Sequence, residues 1–180
     1  MATQKLSAEL RSRLASLGIS DDHLLACKLP LQEEAINIIR SENDVFGRVQ
    51  HMTPATLHYW QEMKRAASRD GIGLAIVSAY RSIDYQCRLI AGKLEKGQCI
   101  NAILNVNAIP GFSEHHTGRA IDLTCQGHEP LDESFESTDA FRWLTHHARQ
   151  FHFTMSYPRD NPAGIIYEPW HWICQEEAPL

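Results

Sequence analysis

The sequence predicts a single domain of mixed α+β class, because segments with helical periodicity alternate with short runs that are typical of buried strands. The clearest helix starts at Thr53-Pro54, where a capping residue precedes a proline of the first turn, and its apolar face continues to Asp70-Gly71. Residues 73–80 form an almost continuous apolar run, which is typical of a buried strand. With 180 residues, 43% of them hydrophobic, the chain can bury one substantial core, and we expect no second full domain.

Further elements are predicted from periodicity and from residues that begin or end helices. Helices are predicted over 7–17, 21–28, 83–95 and 138–151, and strands over 119–123 and 164–167. The segment 35–40 is ambiguous between strand and helix, and the acidic, turn-rich tract 127–139 is predicted to be a surface loop. We expect residues 1–50 to be an N-terminal extension that packs on the rest of a single domain spanning 1–180.

The composition of the chain indicates which kinds of partner and which cellular compartment to expect. The chain has no run of about 18 apolar residues and its N-terminus lacks the apolar core of a secretory signal, so no membrane contact is expected and the chain as written is predicted to be cytoplasmic. The net charge of -5 comes without a basic stripe, which argues against nucleic-acid binding. The five cysteines are odd in number and contain no C-x-x-C pair, so reduced thiols are expected.

Two short motifs in the second half of the chain carry residues that could hold a metal. The first, SEHHTGRAID, runs from Ser113 to Asp122, and the second, EPWH, runs from Glu168 to His171. Together they offer two imidazoles and one carboxylate, on His115, Asp122 and His171, and leave Glu168 over. Three nitrogen or oxygen ligands with an open fourth position are typical of catalytic zinc, whereas structural zinc is usually closed by four ligands.

The spacing within these motifs predicts how the ligands meet. His115 and Asp122 are seven residues apart, too far for one helical turn, so a loop followed by a strand must bring them together. Pro169 disfavours a helix through the second motif, and an offset of three places Glu168 and His171 on opposite faces of a flat strand, so we expect a bend there. Zinc can lower the pKa of bound water to about 7, and Glu168 would then serve as general base and later as acid to the leaving amine.

Other histidines are less favoured as ligands. A lone histidine is more often a surface or capping residue than a metal ligand, and this is our interpretation of His116. His146 and His147 are neighbours on the predicted helix 138–151, where adjacent side chains diverge by about 100°. We therefore expect that pair not to chelate a metal.

Arg81 follows the predicted strand 73–80, at a position where strands commonly present functional groups. A fixed cation aimed at the oxyanion of an acyl-transfer reaction typically contributes about 3 to 4 kcal/mol to the barrier. An arginine can also clamp a substrate carboxylate through two parallel hydrogen bonds. The alternative is a surface salt bridge to Asp84, and position alone does not separate these interpretations.

The motifs closely resemble those of the VanY-type D-alanyl-D-alanine carboxypeptidases, members of the LAS group of zinc peptidases named for lysostaphin, D-Ala-D-Ala peptidases and sonic hedgehog. The family pattern S-x-H-x-x-G-x-A-x-D is met at every fixed position, and E-x-W-H is met by the second motif. A third signature, S-G-Y-R-S-x-x-x-Q, is met from Ser78 to Gln86 with Ala79 in place of glycine. The first fifty residues lie outside the resemblance.

The resemblance implies an α+β fold in which a small antiparallel sheet, flanked by helices, carries a zinc site on one face. It implies one Zn²⁺ per chain, with His115, Asp122 and His171 as ligands and Glu168 as the catalytic base. It also implies removal of a C-terminal D-alanine from peptidoglycan-type peptides. For Arg81 the family match favours a functional role over the salt bridge.

Two further residues are assigned to the substrate by this resemblance. Gln86 lies where the family uses glutamine to help hold the terminal carboxylate of the substrate. Ser113 does likewise or only caps the local turn. Trp170 is expected to pack beneath the site, and Tyr157 either lines the cleft or is simply a buried aromatic.

Three alternatives stay open at this point. A dipeptidase or an endopeptidase would share the chemistry, and a closed, positive end of the cleft would distinguish a carboxypeptidase from an endopeptidase. A zinc-binding interaction module without turnover is a rival from another class, against which the presence of Glu168 speaks. A peptidoglycan substrate would place the action in the periplasm or cell wall if the chain is exported by another route, and the oligomeric state is not predicted.

Overall fold

The computed structural model describes residues 6–175 and has the mixed helical and sheet architecture predicted for the chain. Within this range the α-helices are α1 (Ala8–Ser16), α2 (Asp21–Ala26), α3 (Pro54–Arg69), α4 (Ile83–Glu95), α5 (Ile100–Asn105) and α6 (Asp139–His147). The strands are β1 (Ile39–Asn43), β2 (Val49–Met52), β3 (Leu74–Ser78), β4 (Ala120–Cys125), β5 (Phe153–Met155) and β6 (His171–Cys174). Short 3-10 helices cover Glu114–Thr117, Glu133–Ser137 and Ala148–Phe151.

The strands form two small antiparallel sheets. β1 and β2 make a hairpin, and the larger sheet has the order β3-β4-β6-β5. In the larger sheet Asp122 pairs with His171 of β6 on one side and with Ser78 of β3 on the other. Residues directly opposite each other on paired strands project from the same face, so this register places two candidate ligands side by side.

The opposite face of the sheet packs into the main core. Ile121 and Leu123 flank Asp122 on β4, are fully buried, and pack with Trp60 and Met63 of α3. Because side chains alternate along a strand, burying these two aliphatic residues directs Asp122 to the other face. The hydrophobic core therefore fixes which face carries the polar site.

The N-terminal helices pack against a second apolar cluster beside α4. Leu14 of α1 and Ile19 contact a cluster that includes Ile90 of α4 and Ile103 of α5. The Ser7 side chain caps α1. In the segment between α2 and β1, the Ala35 amide donates to the His116 carbonyl at 2.8 Å, next to the candidate ligand His115. The segment before β1 thus supports the same elements that build the site.

The helices were predicted better than the strands. α3 starts at Pro54 with the Thr53 side chain as its cap, and α4 covers the predicted range 83–95, with Ser82 as its cap. The predicted helix 138–151 ends as an α-helix at His147 and finishes as a 3-10 turn. The predicted helix 21–28 ends earlier, at Ala26.

Two segments differ from their prediction. Residues 164–167 are not a strand, because Asn161 organises a loop there: its Nδ2 donates to the carbonyls of Pro158 and Ile165 at 3.0 and 2.7 Å. Gly164 in this loop has φ +70°, which a strand does not use. In the predicted surface loop 127–139, the 3-10 helix inserts Phe135 into the core, where it is 1% exposed.

The segment 35–40 resolves into irregular chain followed by β1 from Ile39. The cysteines form no disulfide in the described structure. Among the described helices, none combines the length and apolar character that crossing a membrane requires.

Candidate active site

The three candidate metal ligands come together although they lie on different elements. His115 is on the 3-10 helix before β4, Asp122 is on β4, and His171 is the first residue of β6. One ligand atom from each lies within 4.8 Å of the others, and all three side chains are buried. His115 Nε2 is 3.2 Å from Asp122 Oδ2, and His171 Nδ1 is 2.9 Å from Asp122 Oδ1.

A glycine allows the chain to turn between the first two ligands. Gly118 ends the 3-10 helix with φ +66°, a left-handed conformation that strongly favours glycine. A Cβ at this position would lie 3.2 Å from Thr53 Cγ2 and 3.4 Å from Ala35 Cβ. The positive φ and the crowding together explain why the motif needs glycine between its histidine and its aspartate.

Hydrogen bonds decide which ring nitrogens face the metal position. His115 Nδ1 lies 2.7 Å from the Ala79 carbonyl oxygen, so it must donate, and Nε2 is left to face Asp122. His171 Nε2 lies 3.0 Å from Glu114 Oε2, which leaves its Nδ1 to face Asp122. Metal-binding histidines typically donate their second ring nitrogen to a carbonyl or carboxylate in this way, which fixes the tautomer and the ring orientation.

Glu114 is a site residue that the sequence did not single out. Its Oε2 contacts His171 and also accepts from Ser156 Oγ at 2.5 Å. Burial alone would raise the pKa of Glu114, but the hydrogen bonds and charges of these partners and of His115 lower it below the ordinary value. The only available signal was an acidic residue directly before a candidate ligand.

Replacing Glu114 by alanine should weaken metal binding by about 10- to 100-fold, the usual effect of losing the carboxylate behind a ligand histidine. Glu114→Gln, which keeps a hydrogen-bond acceptor but loses the charge, should fall between alanine and wild type. Competition with a chelator of known zinc affinity measures both. Ser156→Ala is the control, because it removes the other partner of Glu114 and keeps the bond to His171; equal affinities in all four proteins would contradict the role.

The electrostatics of the site favour a cation among its carboxylates. Burial alone would raise the pKa of Asp122, but the neighbouring His115 and His171 hold it far below its ordinary value. Burial alone would lower the pKa of His171, but Asp122, Glu114 and Glu168 raise it to about 10. These carboxylates thus favour positive charge at this position, and a metal ion bound at His171 Nδ1 would replace the proton there. Two imidazoles with a carboxylate form a donor set that suits Zn²⁺.

Glu168 lies beside the ligand cluster at the bend predicted for the second motif. The His171 amide donates to the Glu168 carbonyl at 3.1 Å, which closes the turn, and Glu168 Oε2 is 3.9 Å from His171 Nδ1. Burial raises the pKa of the Glu168 carboxyl to about 7, against the lowering influence of His171 and Arg81. A carboxylate with a pKa near neutrality can accept and return a proton at physiological pH.

Arg81 lies at the end of the segment that follows β3 and lines the same cleft. Its Nη1 donates to Gln86 Oε1 at 3.0 Å, and its Nη2 lies 3.9 Å from Asp122 Oδ2. Asp84, the alternative partner, instead pairs with Arg13 at 2.7 Å and with Arg88. The surface salt bridge that competed with a functional interpretation of Arg81 is therefore not formed.

The two residues expected to bind substrate, Gln86 and Ser113, have different surroundings. Gln86 is fully buried, and its Nε2 donates to the Ala108 carbonyl at 2.9 Å, so the side chain holds Arg81 and does not reach the cleft surface. Ser113 lines the cleft, and its hydroxyl neither caps the 3-10 helix nor bonds to any other residue of the range 6–175. Substrate binding by Gln86 and Ser113 stays a prediction.

The cleft around the site has a volume of about 450 Å³. α4 and the segment 104–108 form one wall, and Phe46 and Arg48 of the β1-β2 hairpin extend its lining. Trp170 and Tyr157 line it next to the ligands, and the Tyr157 ring lies 4.8 Å from the His171 ring between centroids. Tyr157 is thus both a buried aromatic and a part of the cleft.

His116 is a structural residue. Its Nε2 accepts from the Gly111 amide at 3.0 Å, so Nδ1 carries the proton and donates to the Arg81 carbonyl at 2.6 Å. Burial disfavours the charged ring and lowers the pKa of His116 to about 4. A second ring proton would also break the bond from the Gly111 amide. The neutral ring ties the turn at Gly111 to the backbone of Arg81.

The low pKa of His116 predicts a loss of stability in mild acid. Below pH 6.5 the unfolded chain binds a proton at this ring that the folded chain refuses, so stability falls as the pH drops towards 4. By pH 4.5 this single group should cost about 2 to 3 kcal/mol. Unfolding by denaturant at pH 7 and pH 4.5 measures the loss, which His116→Gln should reduce; an equal loss in both proteins would contradict the assignment.

Comparison with known proteins agrees with this geometry. The family model described as VanY: D-alanyl-D-alanine carboxypeptidase matches residues 49–175, which is over two thirds of the chain. YodJ of Bacillus subtilis is 36% identical over 110 residues, covering 59% of this chain and 40% of YodJ. The chain thus spans less than half the length of this curated relative.

Two solved structures share the fold. The LdcB LD-carboxypeptidase has a TM-score of 0.69 and 29% identity, over 79% of this chain and 70% of its own. A VanY D,D-pentapeptidase from a VanB-type resistance cassette, solved in complex with Zn(II), has a TM-score of 0.63 and 24% identity, over 82% and 84%. The chain thus has the fold of the LdcB and VanY carboxypeptidase domains. The chain belongs to the VanY family of D-alanyl-D-alanine carboxypeptidases.

Proposed function

We propose that this chain is a zinc carboxypeptidase, with one Zn²⁺, that removes a C-terminal D-alanine from peptidoglycan-type peptides. The observation that carries this proposal is the cluster of three ligand atoms within 4.8 Å with the Glu168 carboxylate beside it in the cleft. Membership of the VanY family supports the same reaction class. The zinc complex of the related VanY structure supports the choice of metal.

His115 Nε2, Asp122 and His171 Nδ1 would hold the zinc ion. When bound, zinc polarises the scissile carbonyl and makes water a stronger acid. Ala79 and Glu114 orient the two imidazoles by accepting hydrogen bonds from the ring nitrogens that face away from the metal. This leaves the ligand atoms pointing at one position before substrate arrives.

Glu168 moves the proton in the proposed reaction. Its carboxylate takes a proton from the attacking water and returns it to the nitrogen of the leaving amino acid, so the group ends in its starting state. Burial raises the pKa of this carboxyl to about 7, so near neutral pH the group can both accept and return a proton. A non-catalytic zinc module would not require a carboxylate placed there.

Arg81 stabilises the negative charge that develops on the carbonyl oxygen. Gln86 holds the guanidinium from behind, so its direction is set before the reaction and little reorganisation is needed. The backbone amide of Arg81 also donates to the His115 carbonyl at 3.1 Å, which links this cation to a ligand. Ser113, with its free hydroxyl at the cleft surface, is positioned to donate to a substrate carboxylate.

A panel of peptides tests the proposal. Zinc-loaded protein is incubated separately with four substrates. Two are the dipeptide D-Ala-D-Ala and a longer peptide ending in D-Ala-D-Ala. The others are a peptide ending in an L-residue followed by D-Ala, and a peptide that contains these residue pairs internally but not at its C-terminus. Mass spectrometry should show loss of one C-terminal alanine from longer peptides. Cleavage of the dipeptide alone would favour a dipeptidase, internal cleavage an endopeptidase, and no cleavage would overturn the proposal.

A further inference from the structure

The cleft contains another cation, Lys93, that none of the recognised motifs includes. Lys93 lies on α4, seven residues after Gln86, and lines the same cleft as Arg81 and the candidate ligands. Seven residues are two helical turns, so Gln86 and Lys93 share one face of α4 about 10 Å apart along its axis. Since helical side chains lean towards the N-terminus, Lys93 extends back towards Gln86 and Arg81.

Lys93 has no charged partner within the described chain, unlike the other cations of the cleft. Arg48 pairs with Asp44 at 2.7 Å, and Arg81 has Gln86 and Asp122 as neighbours. No hydrogen bond or ion pair of Lys93 is present among residues 6–175. Its ammonium therefore has donors available for a ligand.

The surroundings of Lys93 favour an anionic ligand. Leu89 and the segment 104–108 line the same cleft and carry no carboxylate; the polar side chains of that segment, Asn105 and Asn107, are uncharged, so they do not neutralise the ammonium group. Burial and the nearby Arg81 guanidinium lower the pKa of Lys93, so the two positive charges repel each other in the free protein. A carboxylate placed between them would relieve this repulsion and pair with a partly desolvated ammonium.

The proposed function needs a group that recognises the free end of the peptide. Gln86 is fully buried behind Arg81 and does not face the cleft. Arg81 itself lies beside Asp122, close to the ligands, where the scissile carbonyl must sit. A cation on α4 would neutralise the terminal carboxylate and leave Arg81 free to serve the reacting carbonyl.

We propose that Lys93 binds the C-terminal carboxylate of the peptide substrate and thereby restricts the site to the last peptide bond. This inference rests on the proposed function and adds to it the residue that selects a free chain end. The released residue would lie between Arg81 and Lys93, with its side chain against the apolar wall of α4. Side-chain carboxylates elsewhere in the peptide would not substitute for the terminal one.

The test compares a peptide ending in D-Ala-D-Ala as the free acid with the same peptide as its C-terminal amide. Wild-type protein should strongly prefer the acid. Lys93→Gln should raise KM for the acid by about 10- to 100-fold, the usual loss for a charge-assisted hydrogen bond, and leave the amide almost unchanged. Lys93→Arg should keep most of the preference. Lys96→Gln is the matched control, because Lys96 is exposed at the end of the same helix.

The possible results distinguish a failure of the role of Lys93 from a failure of the proposed function. A Lys93→Gln protein that keeps the full preference for the acid overturns the role of Lys93 and leaves the proposed function standing. Equal losses on acid and amide also overturn it, because they indicate general damage to the cleft. A wild-type protein that cleaves neither peptide overturns the proposed function and this inference together. A peptide with an extra aspartate and an amidated end should behave as the amide does.

Discussion

Replacing Glu168 by alanine should reduce hydrolysis of a peptide ending in D-Ala by at least about 10²- to 10⁴-fold, the range expected for a lost general acid and base. The zinc content should stay near one per chain, because Glu168 is not one of the three clustered ligands. Steady-state kinetics measures the first quantity and elemental analysis of the purified protein measures the second. Separating the two effects distinguishes proton transfer from metal binding.

Two variants make the result on Glu168 decisive. Glu168→Gln keeps the shape of the side chain and removes its basicity, so it should lose activity to a similar degree. Glu129→Ala removes an exposed carboxylate outside the cleft and should leave the rate unchanged. Wild-type activity in either Glu168 variant would remove this residue from the mechanism.

Replacing His171 by alanine should have the largest effect on metal binding. The variant loses one of three ligands and also leaves Asp122, Glu114 and Glu168 without the imidazole that lies among them. We expect zinc content below about a tenth of an ion per chain, and no rise in melting temperature when zinc is added, whereas wild-type protein should be stabilised. Metal analysis and thermal unfolding with and without zinc check both statements.

His146→Ala provides the matched control for this experiment. His146 is exposed on α6 and belongs to the adjacent pair that is not expected to chelate a metal. Its Nδ1 donates to the Arg142 carbonyl at 2.6 Å, within its own helix. Its zinc content should equal that of wild type. Stoichiometric zinc in the His171 variant would show that the ligand set is assigned wrongly.

Helices α1 to α4 and α6 could be predicted because their signals are local, whereas α5 was not predicted. Thr53 and Ser82 cap α3 and α4 from positions that are visible in the sequence, and the apolar periodicity between caps is long. β6 was missed because four consecutive buried residues show no alternation. The apolar run at 164–167 predicted a strand, but the side chain of Asn161 supplies hydrogen bonds that hold this segment as a loop.

Some residues of the candidate site could likewise be predicted from the sequence, and others could not. The clustering of His115, Asp122 and His171 beside Glu168 could be predicted because their spacing along the chain is itself the signal. Glu114 and Lys93 could not, since their importance depends on proximity in three dimensions: Glu114 contacts a histidine 57 positions away. The burial of Gln86 behind Arg81 was equally invisible, because a polar residue on a helix gives no sign of which neighbour covers it.

The pairing of Asp122 with His171 across β4 and β6 has a consequence for folding. A slip of one residue would turn Asp122 into the apolar core and separate the ligands, because neighbouring side chains on a strand point to opposite faces. Molecules with that error would lack the proposed metal site. Metal present during refolding should therefore enrich the correctly aligned form by mass action, and bound metal would report the alignment of the two strands in a preparation.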